Sequence, residues 1–312
     1  MTEKTTVAII MSTYNGASYL PEQLDSLLTQ EGVDVKIFIR DDGSTDGTHE
    51  VLKSYIEKCS NICFVNAQNC ENIGVKDSFL SLLEWAINQE PEIQYFAFAD
   101  QDDVWKKEKL AAALSLMNEA MVDRNEMQMY FSNKTIVDKD LQLVREDHLT
   151  YFGDYFDLFW HAVAYGCTMV INRPMALLST AHRPSSLFIH DSWIYRLAIL
   201  CGARIIFDER SFILYRQHGD NSCGIEATEF ISIKDAGHLL KKSQHLVQRK
   251  IREINKLYGY LFSASTRKLV EWTLTYDRNI SSFCHLAFSR RAFRRGPILY
   301  IVFLLKLVLH RI

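Results

Sequence analysis

The sequence predicts an α/β fold with a mostly parallel central sheet that is covered by helices on both faces. Apolar runs typical of buried strands occupy residues 7–12, 35–39, 62–65 and 95–99, and segments with helical spacing of apolar residues separate them. This alternation favours a parallel sheet, because each crossover helix returns the chain to the same side of the sheet. Two of the runs end in clustered acids, and the carboxyl ends of parallel strands are where such sheets bind ligands.

The first two strands both lead into polar turns. Residues 13–16 form a turn by composition, and a helix with leucines at positions 20, 24, 27 and 28 follows it. The second strand ends in Asp41 and Asp42, after which Gly43 suits a turn with positive φ. Two further helices, around residues 51–56 and 75–88, flank the third strand and complete the alternating pattern.

The fourth strand is the centre of this pattern, because it ends in Asp100, Asp102 and Asp103. Three carboxylates within four residues repel one another, so a bound cation or plentiful water is expected beside them. A hard divalent cation such as Mg²⁺ or Mn²⁺ takes oxygen ligands and commonly bridges carboxylates to the phosphates of a substrate. The alternative is that Asp102 or Asp103 only caps a helix predicted over residues 104–117.

The rest of the chain contains further strands and a helical end. Strands are predicted at residues 127–131, 166–171 and 204–207, and the pattern becomes helical and charged from residue 234 to about 278. An aromatic-rich stretch, residues 151–160, has two interpretations: a helix packed on the sheet edge, or an exposed surface for an acceptor sugar or a lipid.

Composition and charge limit the functional classes. The 312 residues are 48% hydrophobic and 23% charged, which is ordinary for a folded protein that can bury a large core. A net charge of −3 argues against a chain that binds nucleic acid over its whole length. The seven cysteines form no CxxC pair and are expected to be reduced thiols in a cytosolic protein. The polar N-terminus predicts no signal peptide.

The end of the chain is both basic and apolar. Residues 278–312 include seven Lys or Arg and no Asp or Glu, and residues 297–305 are strongly apolar. This run is too short to span a membrane, which takes about 20 apolar residues. The pattern favours an interfacial anchor on an anionic leaflet. The alternative is a terminal helix docked on the body of the protein or on a second subunit.

Four motifs together resemble the family-2 glycosyltransferases of the GT-A fold. They lie in order within residues 5–220 and are Ser12-Thr13-Tyr14-Asn15-Gly16, Asp41-Asp42-Gly43-Ser44-Thr45-Asp46, Asp100-Gln101-Asp102-Asp103 and His190-Asp191-Ser192-Trp193. The sub-pattern Asp-Gln-Asp-Asp-Val-Trp, His-Asp-Ser-Trp and Tyr-Arg-Gln-His further resembles bacterial rhamnosyltransferases of surface-polysaccharide synthesis. The resemblance implies a GT-A catalytic domain over residues 1–222. The helical pattern of the remaining residues, which carry no motif of the family, predicts a C-terminal helical region over residues 223–312 with a basic and apolar membrane-associating tail.

The resemblance implies a site for a nucleotide-sugar donor at the strand ends. Its expected nucleotide-binding residues are Thr13, Tyr14, Asn15, Asp41, Asp42, Asp100 and Gln101. Asp41 would accept the ring N–H of a pyrimidine base, which only an acceptor group can do. Asp100 would contact the ribose or the metal.

The resemblance also implies a metal site and a general base. Asp102 and His218 would ligate a divalent metal, Mg²⁺ or Mn²⁺, which would neutralise charge on the leaving diphosphate. Asp191 resembles the general base, which removes the proton of the acceptor hydroxyl, whereas His190 beside it is expected to be structural. Further candidates for the metal or the diphosphate are Asp103, Arg216 and Lys76.

These expectations combine into an inverting glycosyltransferase that works by a single displacement. The expected donor is dTDP-L-rhamnose, with UDP-sugars as the alternative, and the expected acceptor is a growing lipid-linked glycan. The protein would be cytoplasmic and peripheral on the inner face of a bacterial plasma membrane, and the possibility of a homo-oligomer stays open. A non-catalytic nucleotide-sugar-binding scaffold also stays open, although the intact acid cluster and Asp191 argue against it. A nucleotidyltransferase is disfavoured, because residues 12–16 contain one glycine and no basic residue.

Overall fold

The structure is a computed structural model that describes residues 4–68, 71–149, 151–159, 164–218, 245–294 and 296–309. Its strands are β1 (Thr6–Thr13), β2 (Asp34–Asp41), β3 (Ile62–Phe64), β4 (Tyr95–Ala99), β5 (Val104–Trp105), β6 (Gln128–Val137), β7 (Leu143–Glu146), β8 (Val170–Asn172) and β9 (Arg204–Arg216). Its α-helices are α1 (Leu20–Leu28), α2 (Thr48–Ile56), α3 (Val75–Gln89), α4 (Lys109–Ala120), α5 (Arg173–Thr180), α6 (His190–Cys201), α7 (Leu246–Tyr258), α8 (Ala264–Thr275), α9 (Ile280–Ala287), α10 (Arg290–Phe293) and α11 (Pro297–Val308).

The described strands form one sheet in the order β3-β2-β1-β4-β8-β6-β9-β5, with β7 paired to β6. The first four strands in this order are parallel neighbours, as the alternating pattern predicts. β8 joins β4 to β6 through antiparallel pairs, so the whole sheet is mixed. Thr13 pairs in register with Asp41, and Met11 pairs with Ala99. The turns after β1, β2 and β4 therefore leave the sheet at one edge, and the α/β prediction is confirmed.

The strand that carries the acid cluster is buried on both faces, as predicted. Phe96 and Phe98 of β4 lie in one apolar cluster, whereas Tyr95, Ala97 and Ala99 lie in a second. This division follows from the alternation of side chains along a strand. Burying one phenylalanine stabilises the fold by about 1.5–3 kcal/mol relative to leaving it exposed. The acid cluster therefore begins from a strand that is fixed on both sides.

Residues 104–105 do not begin a helix, contrary to the sequence prediction. Val104 and Trp105 form β5, which pairs antiparallel with β9, and strand propensity favours such β-branched and aromatic residues. The next helix, α4, has Glu108 as its N-cap residue and receives no side-chain capping bond. The interpretation that Asp102 or Asp103 only caps this helix is therefore wrong.

The aromatic stretch is buried over residues 155–159, whereas residues 151–154 are partly or fully exposed. Residues 155–159 form a 3-10 helix in which every side chain is buried. The rings of Phe159 and Phe303 of α11 lie 5.2 Å apart between centroids. The packing interpretation is confirmed for these residues, and the interpretation as an exposed binding surface is wrong for them. Trp160 lies outside the described residues.

The C-terminal helices pack on the same body. Val247, Ile251 and Ile254 of α7 belong to the apolar cluster that contains Phe98. One face of α11 is buried, and the face opposite to it is exposed. Docking on the body is therefore confirmed for one face of the tail helix. Within the described residues, no helix is long and apolar enough to cross a membrane.

Candidate active site

The side-chain amide of Gln101, within the acid cluster, makes two hydrogen bonds to the turn after β1. Its Oε1 accepts a hydrogen bond from Tyr14 N at 2.8 Å, and its Nε2 donates to Tyr14 O at 2.9 Å. A Cβ at Gly16 would lie 2.3 Å from Gln101 Oε1, so a side chain at position 16 would break this contact. The amide positions Tyr14, whose side chain is 51% exposed. Nucleotide contacts by Gln101 and Tyr14 stay predictions.

Asp41 organises the turn after β2. Its buried carboxylate accepts hydrogen bonds from Thr13 Oγ1 at 3.0 Å and Ser44 N at 2.8 Å, and it lies 3.0 Å from His49 Nε2. Burial alone would raise its pKa, but the hydrogen bonds from Ser44, His49 and Thr13 outweigh burial and hold the pKa below its usual range. Asp41 is therefore an ionised acceptor at the ligand-binding edge, and its predicted contact with a base stays a prediction.

Two further residues predicted at the nucleotide join loops to one another. Asn15 has a φ of 50°, and its Oδ1 accepts a hydrogen bond from Thr45 N at 2.8 Å. Asp42 Oδ1 accepts hydrogen bonds from Arg40 Nη1 at 2.6 Å and Ile73 N at 2.8 Å. These contacts connect the turns after β1 and β2 and the loop before α3. These hydrogen bonds fix the loops at this edge of the sheet before any ligand binds. This holds whichever of the residues contacts a nucleotide-sugar donor.

The acid turn, residues 100–103, is braced by Arg216. The side chain is buried, and its Nε donates a hydrogen bond to Asp102 O at 2.8 Å. Its backbone N donates to Asp103 Oδ1 at 3.2 Å, and its guanidinium pairs with Glu22. Arg216 is the last residue of β9, so this continuous strand brings the Arg216 side chain to the acid turn. The predicted role of Arg216 at the diphosphate stays a prediction.

Asp102 and His218 lie in contact. His218 Nε2 is 2.8 Å from Asp102 Oδ2, and the His218 ring lies 4.6 Å from the Tyr19 ring between centroids. The sequence assigned both residues to a metal, and the fold brings them together across 116 positions of the chain. Carboxylate oxygen and imidazole nitrogen both occur as ligands of divalent metals. Metal ligation by the pair stays a prediction.

A second set of acidic groups lies beside this pair. Ligand atoms of Asp100, Asp103 and Cys167 all lie within 4.8 Å of one another. Burial, together with the charges of Asp102 and Asp191, raises the pKa of Asp100 to about 7. Burial and the neighbouring carboxylates raise the pKa of Asp103 well above its usual range. Ionising both Asp100 and Asp103 is therefore unfavourable unless a cation lies nearby.

Two buried residues near the acid turn, Cys167 and Lys109, were not found from the sequence. Burial raises the pKa of the Cys167 thiol, so it stays protonated and is a poor ligand for a hard cation. The fully buried Lys109 has its Nζ 3.6 Å from the centroid of the Trp105 ring, and burial lowers its pKa to about 7. No local signal could have found either, because Cys167 follows an apolar pattern and Lys109 lies among helix-surface charges.

Asp191 lies in the first turn of α6. It is near enough to the acid turn for its negative charge to contribute to the raised pKa of Asp100. Its Oδ1 accepts a hydrogen bond from Ser192 N at 2.5 Å. The sequence predicted this meeting only through the family resemblance, since the two segments lie far apart in the chain.

His190 is structural, as predicted. Its buried ring stacks on Phe79 at 4.0 Å between centroids. Burial lowers its pKa and keeps the ring neutral. A Cβ at Gly166 would lie 2.4 Å from His190 Nε2, so the glycine makes room for the ring. The stacked ring fixes the start of the helix that carries Asp191.

Lys76, a candidate for the diphosphate, contacts the loop before α6. Its Nζ donates a hydrogen bond to Pro184 O at 2.9 Å and lies 3.3 Å from a carboxylate oxygen of Asp77. These contacts connect the start of α3 to the segment that leads to Asp191. Binding of a diphosphate by Lys76 stays a prediction.

In this structure, acids follow β2 and β4, and Asp191 lies in the first turn of α6, which are positions that the four motifs of the resemblance occupy. The family model described as glycosyl transferase family 2 matches residues 8–178, which is more than half of the chain. The chain belongs to this family, and the resemblance read from the four motifs is confirmed.

Individual relatives agree with this assignment. The dTDP-rhamnosyl transferase RfbG of Shigella flexneri is 29% identical over 224 residues, which cover 69% of this chain and 73% of RfbG. S. aureus TarS, solved with UDP-GlcNAc, aligns with a TM-score of 0.58 at 15% identity over 99% of this chain and 82% of its own. The mannosyltransferase PcManGT from Pyrobaculum calidifontis, solved with GDP-Man and Mn²⁺, aligns with a TM-score of 0.52 at 14% identity, covering 98% and 87% of the two chains. At these identities the two structures show the shared fold.

Proposed function

We propose that this glycosyltransferase is an inverting, metal-dependent enzyme that moves L-rhamnose from dTDP-L-rhamnose to a growing lipid-linked glycan. The observation that carries the proposal is the contact of Asp102 Oδ2 with His218 Nε2 at 2.8 Å beside the other acids of the acid turn, and the influence of the Asp191 charge on the pKa of Asp100 supports a base near these acids. The similarity to a dTDP-rhamnosyl transferase supports the choice of donor. A non-catalytic scaffold would need neither the acids nor a carboxylate facing them.

The reaction is a single displacement. The Asp191 carboxylate takes the proton of the acceptor hydroxyl as that oxygen forms a bond to the anomeric carbon. The bond from the anomeric carbon to the donor phosphate oxygen breaks, and its electron pair leaves with the nucleoside diphosphate. Attack from the side opposite to the leaving group inverts the anomeric configuration. One base is sufficient, so no covalent intermediate on the protein is required.

The acid turn fits a divalent cation. Asp102 Oδ2 and His218 Nε2 lie 2.8 Å apart, and burial and acidic neighbours raise the pKa of Asp100 next to them to about 7. Asp102 and His218 would hold the cation, and positive charge there would relieve this repulsion. When bound, the cation supplies the charge that neutralises the leaving diphosphate.

The donor and the metal are tested together by thermal unfolding with dTDP, UDP, GDP and ADP. Each nucleotide is measured with Mg²⁺, with Mn²⁺ and with EDTA. A ligand at about 100 times its Kd adds roughly 2.7 kcal/mol of stability. We expect dTDP with metal to stabilise the fold and EDTA to abolish the effect. A larger effect of UDP would make a UDP-hexose the donor, and no effect of any nucleotide would contradict the proposal.

The base is tested with Asp191→Asn. The variant should keep the thermal shift with dTDP and metal but lose transfer by about 10²–10⁴-fold, since proton removal is its only lost step. Transfer from dTDP-rhamnose to a lipid-linked acceptor is the measurement. Transfer at the wild-type rate would remove Asp191 from this role.

We also propose that the tail places the enzyme on an anionic membrane surface, on the cytoplasmic side of a bacterial plasma membrane. The chain has no acid after residue 277, and Arg290, Arg291 and Arg294 are exposed. Exposed apolar side chains accompany them, namely Phe288, Phe293, Ile298, Ile301, Leu305, Val308 and Leu309. A basic and apolar surface of this kind suits the interface of an anionic leaflet.

The membrane proposal is tested by vesicle sedimentation. Deleting residues 283–312 should abolish binding to anionic vesicles, but it also removes buried Phe303 and Leu307. A sharper variant therefore replaces only the exposed Ile298, Ile301 and Val308 with serine and leaves the docked face intact. Binding of this variant as tight as that of wild type would exclude the anchor.

A further inference from the structure

The C-terminal helical region supplies a lysine to the start of α6. Lys250 of α7 has its Nζ 3.5 Å from the Oγ of Ser192, the residue that follows Asp191. The same Nζ lies 5.3 Å from the centroid of the Phe188 ring, on the other side of Asp191 in the chain. The ammonium is thus held beside the turn that carries the proposed base.

The same helix also holds the loop that precedes this turn. Glu253, one turn after Lys250, accepts hydrogen bonds from Ser185 N at 2.7 Å and from Ser185 Oγ at 2.6 Å. From the opposite side, Lys76 donates to Pro184 O. Helix α7 therefore contacts the segment 184–192 near both of its ends, and Asp191 lies at one of these ends.

The charged groups around Asp191 form two sets of opposite sign. Asp100 of the acid turn is the negative group, and the charge of Asp191 contributes to its raised pKa. Lys250 and Arg196 are the positive groups, and both approach Ser192 Oγ, Arg196 through its Nε at 3.3 Å. Burial and then Arg196 lower the pKa of Lys250 to about 8, whereas the charge of Asp191 opposes this shift. Two cationic side chains therefore meet at the residue that follows Asp191.

We propose that Lys250 is a positioning residue for the transfer reaction, which holds the start of α6 through Ser192 and thereby orients the Asp191 carboxylate toward the acceptor hydroxyl. The inference rests on the proposed role of Asp191 as the base. It makes α7 part of the reaction site, in addition to its place in the apolar core. This role also gives a reason for the position of the Lys250 ammonium, which is partly buried at the start of α6 rather than in solvent.

The test compares Lys250→Met and Lys250→Arg with the matched control Arg249→Met, which changes the exposed neighbouring position. Lys250→Met should lower kcat by about 10–100-fold, because a small displacement of a reacting group can cost a rate factor of that size. The KM for the donor and the thermal shift with dTDP should not change. Lys250→Arg should restore kcat, and Arg249→Met should resemble wild type.

The outcomes separate this inference from the proposed function. If Asp191→Asn abolishes transfer while Lys250→Met keeps the wild-type kcat, the inference about Lys250 is wrong, but Asp191 keeps its proposed role as the base. If Asp191→Asn transfers normally, both proposals are wrong. A loss of kcat that arginine does not rescue, or that comes with a weaker thermal shift with dTDP, would reduce Lys250 to a structural role and overturn the inference. Should Lys250→Met fail to fold, Lys250→Gln, which retains a polar group near Ser192, is measured in its place.

Discussion

Replacing Asp100 with asparagine is expected to stabilise the metal-free protein at neutral and alkaline pH. Burial and the charges of Asp102 and Asp191 raise the pKa of Asp100 to about 7 in the folded protein. An acid whose folded pKa lies above its unfolded pKa of about 4 makes folding progressively less favourable as the pH rises between the two values. Asparagine has the same shape without the charge, so the variant avoids this loss.

The size of the effect follows from the shift. About three pKa units at 1.36 kcal/mol each set an upper bound of about 4 kcal/mol. Asp100 is partly accessible to water, and solvent screening reduces the expected gain to about 2 kcal/mol. For 312 residues and an unfolding entropy of about 2.1 cal/mol/K per residue, this gain raises Tm by about 3 °C.

The assay is urea unfolding of both proteins in EDTA, at pH 4.5 and at pH 8. The gain should be largest at pH 8 and should shrink at pH 4.5. Asp46→Asn is the control of opposite sign: burial of Asp46 is outweighed by hydrogen bonds from Thr48 and Ala17, which hold its pKa below the usual range. Its removal should cost stability at pH 8. An Asp100→Asn variant no more stable than wild type at pH 8 would refute the repulsion within the acid turn.

Two further substitutions test the packing around the site. Gly166→Ala should cost about 1–3 kcal/mol in urea unfolding, because the new Cβ would lie 2.4 Å from His190 Nε2. Gly47→Ala, whose Cβ would meet its nearest atom at 3.6 Å, should cost much less, and equal losses would contradict the steric argument. Arg216→Met should destabilise the ligand-free protein by about 1–3 kcal/mol, because it leaves the carbonyl oxygens of Asp102 and Lys139 without their charged donor. Unchanged ligand-free stability would instead favour a role of Arg216 at the diphosphate.

Local patterns in the sequence are sufficient for the parallel half of the fold and for the acids at the end of β4. A strand buried on both faces is continuously apolar, so β4 and its terminal acids are visible without a structure. Asp102 and His218 could be paired only by resemblance, since no local pattern relates positions that far apart. Their contact depends on β9, which runs past its predicted end and delivers His218 to the acid turn.

The sequence fails where a residue's environment is created by another segment. Val104 and Trp105 look like the start of a helix, but pairing with β9 makes them a strand. Lys109 looks like a surface charge, but that strand places Trp105 over its ammonium. Lys250 is one of several charged residues in α7, and only the docking of α7 on the start of α6 distinguishes it from Arg249.

The acid turn also predicts that metal and nucleotide bind cooperatively. In the ligand-free protein, repulsion and burial keep Asp100 and Asp103 from ionising together, and a donor diphosphate would add negative charge to the same place. A cation removes the repulsion for the acids and for the diphosphate at once, so each ligand should raise the affinity of the other by the same factor. Titration of Mn²⁺ with and without dTDP, and of dTDP with and without Mn²⁺, measures both factors. A coupling of about 1–3 kcal/mol is typical of linked sites, and Asp102→Asn should reduce it. Independent binding would show that the negative charge of the acid turn is neutralised within the protein, by groups such as Lys109, rather than by the metal.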